Sequence, residues 1–270
     1  MTLTTVDLAP RIGTEIKADR AELIAGAHSA ELRRLLEARG ALVVRDLFLD
    51  REEQLAFAGT IGGVQAIGGN SIFKISLDPK ENPGAEYLKG SFYWHIDGST
   101  DDVPNLAAML NAQTLSPSGG QTLFANTYAA WDDLPEEDKA ACEGLRARHS
   151  LECAQRMVNP EPSPQELAIW QARPTRAHPI VWTHKSGRKS LVLGATADYI
   201  EDMPIAEGRA LLCKLRGWAT QPQFVYRHEW APGDLLIWDN TGTMHRVEPY
   251  PLDCGRLMHR STIEGEEALV

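Results

Sequence analysis

Hydrophobic residues keep a helical rhythm in a few stretches of this chain and elsewhere fall into short unbroken or alternating runs. From Ser29 to Arg39, leucines at 32, 35 and 36 recur at helical spacing, with Ser29 placed as N-cap and Gly40 placed to end the helix. The apolar run ALVVRDLF predicts a strand, and Asp50 then opens a second helix with Glu53 at the spacing of a capping box. Residues 70 to 78 turn strand-like again. Farther on, NLAAMLNA and TLFANTY flank the turn-forming PSGG and predict adjacent strands. Pro135 near the start of LPEEDKAACEGL, Ser163 before PQELAIWQA, and the run AEGRALLCKLRGW mark helices inserted between strands.

The C-terminal third is a series of short strands: QFVYRHEW, the turn APGD, DLLIWDN, the turn TGT, MHRVEP and RLMHRSTI. Pro-Gly in APGD suits the two central positions of a type II turn. Short strands joined by tight turns predict a mainly β fold, a β-sandwich or jelly roll, interrupted by helices. No composition break or internal repeat divides residues 1–270, so one domain is expected.

Composition narrows the class. A net charge of -10 disfavours nucleic acid and anionic membranes as partners. Cys142, Cys153, Cys213 and Cys254 form no paired motif and read as reduced thiols. With no secretory leader and no apolar run of membrane length, a cytoplasmic protein is expected. Its partner would be a small anionic molecule; self-association stays open.

Candidate chemistry starts at FYWHIDGS. In a strand, alternation puts His95 and Asp97 on one face, and His245 in TMHRVEP is the best third ligand, distant in sequence but reachable in a rolled sheet. Two histidines and one carboxylate cover one face of an octahedral ion and leave three positions open, as an iron(II) oxygenase needs. A structural zinc site would be closed by four ligands rich in cysteine, and none is near. A hydrolytic zinc site with the same three donors remains an alternative.

Eleven residues after His245 comes Arg256, and four later Arg260. Alternation puts Arg256, Met258 and Arg260 on one face of a strand and His259 on the other. Buried arginines need anions, and a guanidinium fork fits the distal carboxylate of a keto acid such as 2-oxoglutarate. Thr122 is placed to donate its hydroxyl to that carboxylate. At about 13 Å along the strand from Arg256, Arg260 would serve a different anion, the substrate or the metal-bound carboxylate. A solvated strand face carrying two surface arginines is the alternative.

Taken together, YWHIDGST, SGGQTLFANTYAAWDDLP, HPIVWTHKSGRKSLVLG, PGDLLIWDNTGTMHRV and GRLMHRSTI resemble the taurine dioxygenase family, in the family's order from residue 91 to 264. The resemblance implies a double-stranded β-helix (jelly roll) with inserted helices. It further implies Fe(II) held by His95, Asp97 and His245, 2-oxoglutarate held by Thr122 and Arg256, and O2 as cosubstrate. Arg260 matches an arginine near the iron-bound end of the cosubstrate that often meets an acidic substrate, and Trp238 matches a tryptophan close to the iron. Within the family, IEDMPIAEGRALL and TQPQFVYRHEW look nearest to aryloxyalkanoate-degrading members.

Two departures bear on substrate: Ser91 stands where relatives commonly carry Asn, and VQAIGGNSIFK lacks the histidine with which taurine dioxygenase holds a sulfonate. The expected reaction is therefore hydroxylation of a small organic acid, an aryloxyalkanoate-like carboxylate, with release of succinate and CO2. Phe73, Phe92, Tyr93 and Trp94 are candidates to line an apolar pocket. The same chemistry on an amino acid, a sulfonate or sulfate, or a natural-product intermediate is the runner-up, ahead of a zinc hydrolase or a non-catalytic 2-oxoglutarate sensor.

Overall fold

The structure, a computed structural model, describes residues 3–66 and 69–270. The chain opens with β1 (Thr4–Asp7), β2 (Thr14–Lys17), α1 (Arg20–Ile24), α2 (Ser29–Arg39), β3 (Ala41–Val44), α3 (Arg51–Ile61), β4 (Val64–Gln65), β5 (Phe73–Ile75) and α4 (Ala85–Leu88). It continues through β6 (Ala107–Thr114), β7 (Thr122–Asn126), α5 (Thr127–Asp132), α6 (Glu136–Cys142), β8 (Arg146–His149), α7 (Leu151–Arg156) and α8 (Pro164–Gln171). There follow β9 (Arg176–Pro179), β10 (Val181–Thr183), β11 (Lys189–Leu191), β12 (Ala197–Ile200), α9 (Ile205–Ala219), β13 (Val225–His228), β14 (Leu235–Asp239), β15 (Thr243–Val247) and β16 (Leu257–Ile263).

Two sheets make the jelly roll. The larger runs β1-β2-β3-β14-β6-β16-β4, with β5 also on β16, and the smaller runs β13-β7-β15. Between them lie Ala41, Val43, Leu110, Leu236, Trp238 and Met258 from the large sheet, with Phe124 and Tyr226 from the small one. The alternate residues Leu42, Val44, Leu235 and Ile237 face outward against Leu32, Leu36, Phe57 and Ile61 of α2 and α3. Both faces of β3 are thus covered, which is why ALVV shows no polar alternation. Outside the small sheet, Ala125 and Met244 pack under α9 and the inserted strands, against Ile180, Trp182, Leu212 and Phe224. Burying a Leu or Phe of this kind stabilises by roughly 1.5–3 kcal/mol.

Several expectations are corrected. NLAAMLNA and TLFANTY are not neighbours: β6 lies in the large sheet between β14 and β16, and β7 in the small one. The segment joining them crosses between sheets, helped by Gly119 and Gly120 at φ of 69° and 81°. TLFANTY also stops being strand at Asn126, whose side chain caps α5 by accepting from Ala129 N. ALVVRDLF ends as strand at Val44, because Asp46 and Phe48 adopt positive φ while Leu47 and Phe48 donate to Gly233 O. Of residues 70–78, only Phe73–Ile75 is strand. The cap of α2 is His28, since the Ser29 hydroxyl donates to Gly26 O instead.

Capping boxes form at Asp50–Glu53 and Ser163–Glu166, α9 spans its predicted run, and Gly233 at φ 81° closes the APGD turn with Asp234 N donating to Ala231 O. No described helix is long and apolar enough to cross a membrane.

Candidate active site

His245 lies on β15 with Thr243 and Val247 on its own side and Met244 on the other, so the alternation that buries Met244 outside turns the imidazole inward. His95 reaches it differently from expectation. FYWHIDGS is not a strand: His95 makes one isolated bridge to His245, exchanging N–H···O bonds of 3.0 and 2.9 Å, and the chain turns from Asp97 onward. One bridge is enough to bring the rings to 4.1 Å between centroids.

Asn240, in the β14–β15 turn, fixes the carboxylate's position. Its Oδ1 accepts from Asp97 N at 3.0 Å, while its Nδ2 donates to Asp97 O at 2.8 Å and Asn105 O at 3.0 Å. Donor atoms of His95, Asp97 and His245 all lie within 4.8 Å of one another. His95 Nδ1 donates to Tyr93 O at 2.9 Å, which aims Nε2 at Asp97 Oδ1, 3.9 Å away. His245 Nε2 faces Asp97 Oδ2 at 3.6 Å. Burial, with His95 beside it, pushes the His245 pKa down to about 3 and so keeps the imidazole neutral. Burial opposes ionisation of Asp97, but the charge and hydrogen bond of Arg260 outweigh it and hold the carboxyl below the usual range. Two imidazoles and a carboxylate are a donor set that fits Fe(II) with positions to spare.

A cavity of about 350 Å³ opens beside these three residues. Arg256, just ahead of β16, lines it while 3% exposed; its Nη2 donates to Gly120 O at 3.3 Å, the Tyr250 ring lies 4.8 Å away, and no described carboxylate pairs with it. Burial pushes its pKa down. Thr122 Oγ1 accepts from Trp230 Nε1 at 3.0 Å, so its own hydroxyl hydrogen is left to donate into the cavity. Trp238 stands 4.9 Å from the His245 ring, and its Nε1, like Arg260 Nε, is buried without an acceptor. The wall thus collects donors that lack acceptors, which fits a dicarboxylate such as 2-oxoglutarate.

Arg260 also lines the cavity, with Nη1 donating to Asp97 Oδ2 at 3.1 Å, an ion pair to a candidate metal ligand that spacing alone did not reveal. His259 shares its side of β16 with Ser261, which bonds Gln54 of α3, and does not line the cavity. Ser91 does, but its hydroxyl donates to Leu88 O. Of the four aromatic candidates only Phe73 lines it. Phe92 packs on Tyr250, Tyr93 donates to Met157 O, and Trp94 stacks under Arg246. Asn240, Tyr250 and Gln155 were missed; only the Asp-Asn pair ahead of TGT hinted at the first.

The model of the taurine catabolism dioxygenase TauD, TfdA family matches residues 4–262. The chain belongs to that family. It is 38% identical over 252 residues to an alpha-ketoglutarate-dependent 2,4-dichlorophenoxyacetate dioxygenase of Burkholderia sp. (strain RASC), covering 85% of this chain and 83% of the relative. It is 34% identical to an (S)-phenoxypropionate/alpha-ketoglutarate-dioxygenase of Sphingobium herbicidovorans, covering 84% and 83%. The solved structure of AAD-2 in complex with Mn(II) and N-oxalylglycine matches with a TM-score of 0.87 at 32% identity, covering 100% of both chains. This member of the TauD, TfdA family is therefore an iron- and 2-oxoglutarate-dependent dioxygenase with a small-molecule substrate.

Proposed function

We propose that the enzyme hydroxylates a small organic acid, an aryloxyalkanoate-like carboxylate, releasing succinate and CO2 and losing the C–O bond where the oxidised carbon carries oxygen. One observation carries the reading: a cavity whose apolar wall is Phe73, Ile75, Leu88, Leu110 and Val247 also holds three arginines, of which Arg256 and Arg260 follow each other at the edge of and along β16 while Arg246 stacks on Trp94. In it, His95, Asp97 and His245 hold Fe(II), and Arg256 with Thr122 takes the distal carboxylate of 2-oxoglutarate. Trp238 Nε1 donates to an acceptor beside the iron. Dioxygen is the oxidant: of the four electrons it takes up, two come from 2-oxoglutarate on its way to succinate and CO2 and two from the substrate C–H bond, chemistry that Fe(II) held here would mediate. Arg260 keeps Asp97 ionised and turns its remaining N–H groups toward the substrate carboxylate, which sets the target carbon next to the metal.

Relatives named for 2,4-dichlorophenoxyacetate and phenoxypropionate support an aryloxy body. A 29% identical relative from Pseudomonas putida is named a sulfate ester dioxygenase, so an alkyl sulfate belongs in the same panel. The test measures succinate release with aryloxy acids and with neutral amides of the same shape, for wild type and Arg260→Gln. Acids turn over and amides do not, and Arg260→Gln narrows that preference by about tenfold or more. Equal turnover of amides and acids refutes the reading.

A further inference from the structure

The wall of the cavity built by inserted helices carries a polar side chain that the protein leaves unsatisfied. Leu151, Ala154 and Gln155 project from one face of α7, at i, i+3 and i+4, and all three line the cavity. Gln155 is 7% exposed, and its carboxamide makes no hydrogen bond to any described residue. Across from it is Gly90, where an added Cβ would sit 3.4 Å from Gln155 Nε2. The Gly90 backbone thus lies close beside the amide. Beside it, Ser91 spends its hydroxyl hydrogen on Leu88 O, and Tyr87, the other polar side chain on this wall, is exposed, so Gln155 is the buried donor here.

A carboxamide is neutral and offers two N–H donors and one oxygen acceptor. It cannot balance an acid, a task for which the cavity already has arginines, but it matches a hydroxyl or carbonyl. Burying such a group unpaired is costly, and a site built this way discriminates against ligands that leave it so. We propose that Gln155 is a specificity-determining residue that hydrogen-bonds a neutral hydroxyl or carbonyl on the substrate body. The preferred substrate is then an organic acid with such a group remote from its carboxylate, rather than one with a plain or halogenated ring. This rests on reading the cavity as an organic-acid pocket.

The experiment measures binding by calorimetry to full-length protein loaded with Mn(II) and N-oxalylglycine. The probes are phenoxyacetate, its ortho, meta and para hydroxy derivatives, and the corresponding acetyl derivatives. Wild type binds at least one hydroxy or acetyl isomer about tenfold tighter than phenoxyacetate, and Gln155→Met brings that ratio close to one. Should Gln155→Met fail to fold, the isosteric Gln155→Glu decides: it retains an acceptor but no N–H donor, so acetyl acids lose their advantage. The inference is overturned by a wild-type preference that survives in the variant, or by no wild-type preference at all. If no aryloxyacetate binds, the aryloxyalkanoate reading fails separately, and the same comparison is made with hexyl sulfate and its terminal hydroxy derivative.

Discussion

The two ends of the cavity are built from different material. The end proposed to hold metal and cosubstrate is mostly sheet: His245 on β15, Thr122 on β7, Trp238 on β14 and Arg260 on β16 with Arg256 just before it, while His95 and Asp97 come from a loop bridged to β15. Each neighbouring strand restrains these positions, and β14 is paired on both sides, with β3 and β6. The other end is made by Tyr87 and Leu88 of the short α4, the turn at Gly90 and Ser91, and Leu151, Ala154 and Gln155 of α7. On the proposed reading, the groups that demand fixed geometry, Arg260 for the substrate acid included, sit on or against the scaffold, and contact with the substrate body sits on insertions that can change without moving it.

The sharpest way to break that division is at the strand-built end. His95→Ala or His245→Ala removes one of three donors and abolishes both stoichiometric Fe(II) retention and substrate-dependent succinate formation, as read by metal analysis and product assay. The β-rich fold persists in His95→Ala, since His95 lies outside the core clusters, and circular dichroism checks it in both variants. Either variant retaining full metal and activity would place the centre elsewhere.

Arg256→Ala comes next. It removes a charge-assisted contact worth about 1.5–3 kcal/mol, which raises the 2-oxoglutarate concentration at half-maximal rate by roughly tenfold to over a hundredfold. Substrate binding at the helical end should shift far less. A variant in which both constants rise together would mean that the two ends are not independent.

Legibility in the sequence follows the same division. His245 and Arg260 were readable because strand alternation and spacing fix sidedness before tertiary contacts are known; Arg256 lies just outside β16, Thr122 was placed by the turn before it, and Trp238 came only from the family resemblance. His95 and Asp97 were paired correctly for an incomplete reason, since a bridge and the Asn240 clamp, not a strand, bring them to His245. The ion pair of Arg260 to Asp97 spans 163 residues and has no local signature. Nor does Gln155, whose importance depends on what α7 faces. The β6–β7 error has a related origin: a turn signal shows that the chain reverses, not whether it reverses within one sheet or between two.

The smallest expected effect concerns how acid loosens the inserted end. His149 ends β8, which pairs with β9 and β12, and its ring is fully buried beside His178, 5.6 Å away. Its Nδ1 bonds Thr196 Oγ1 at 2.9 Å, and its Nε2 is buried without a partner. Burial first, then neighbouring His178, push the His149 pKa from an ordinary 6.5 down to about 3. The folded chain therefore keeps His149 neutral at a pH where the unfolded chain protonates it. Its stability contribution is complete above pH 6.5 and declines as pH falls toward 3, reaching a loss of about 2 kcal/mol by about pH 5. His184, pushed down to about 4 chiefly by burial, adds a loss of the same sign. The same Thr196 hydroxyl bonds Ser99 at 2.8 Å, and Ser99 lines the cavity two residues beyond Asp97, so loosening here reaches the site. Hydrogen exchange of the metal-free protein between about pH 7.5 and 5 should show β8, β9 and β12 losing protection before β6 and β14. His149→Gln should be less stable at the upper pH yet show a shallower decline in melting temperature. Uniform loss across both regions, or an unchanged slope in the variant, would mean that acid acts on the whole barrel and that His149 is not the group through which the inserted end yields.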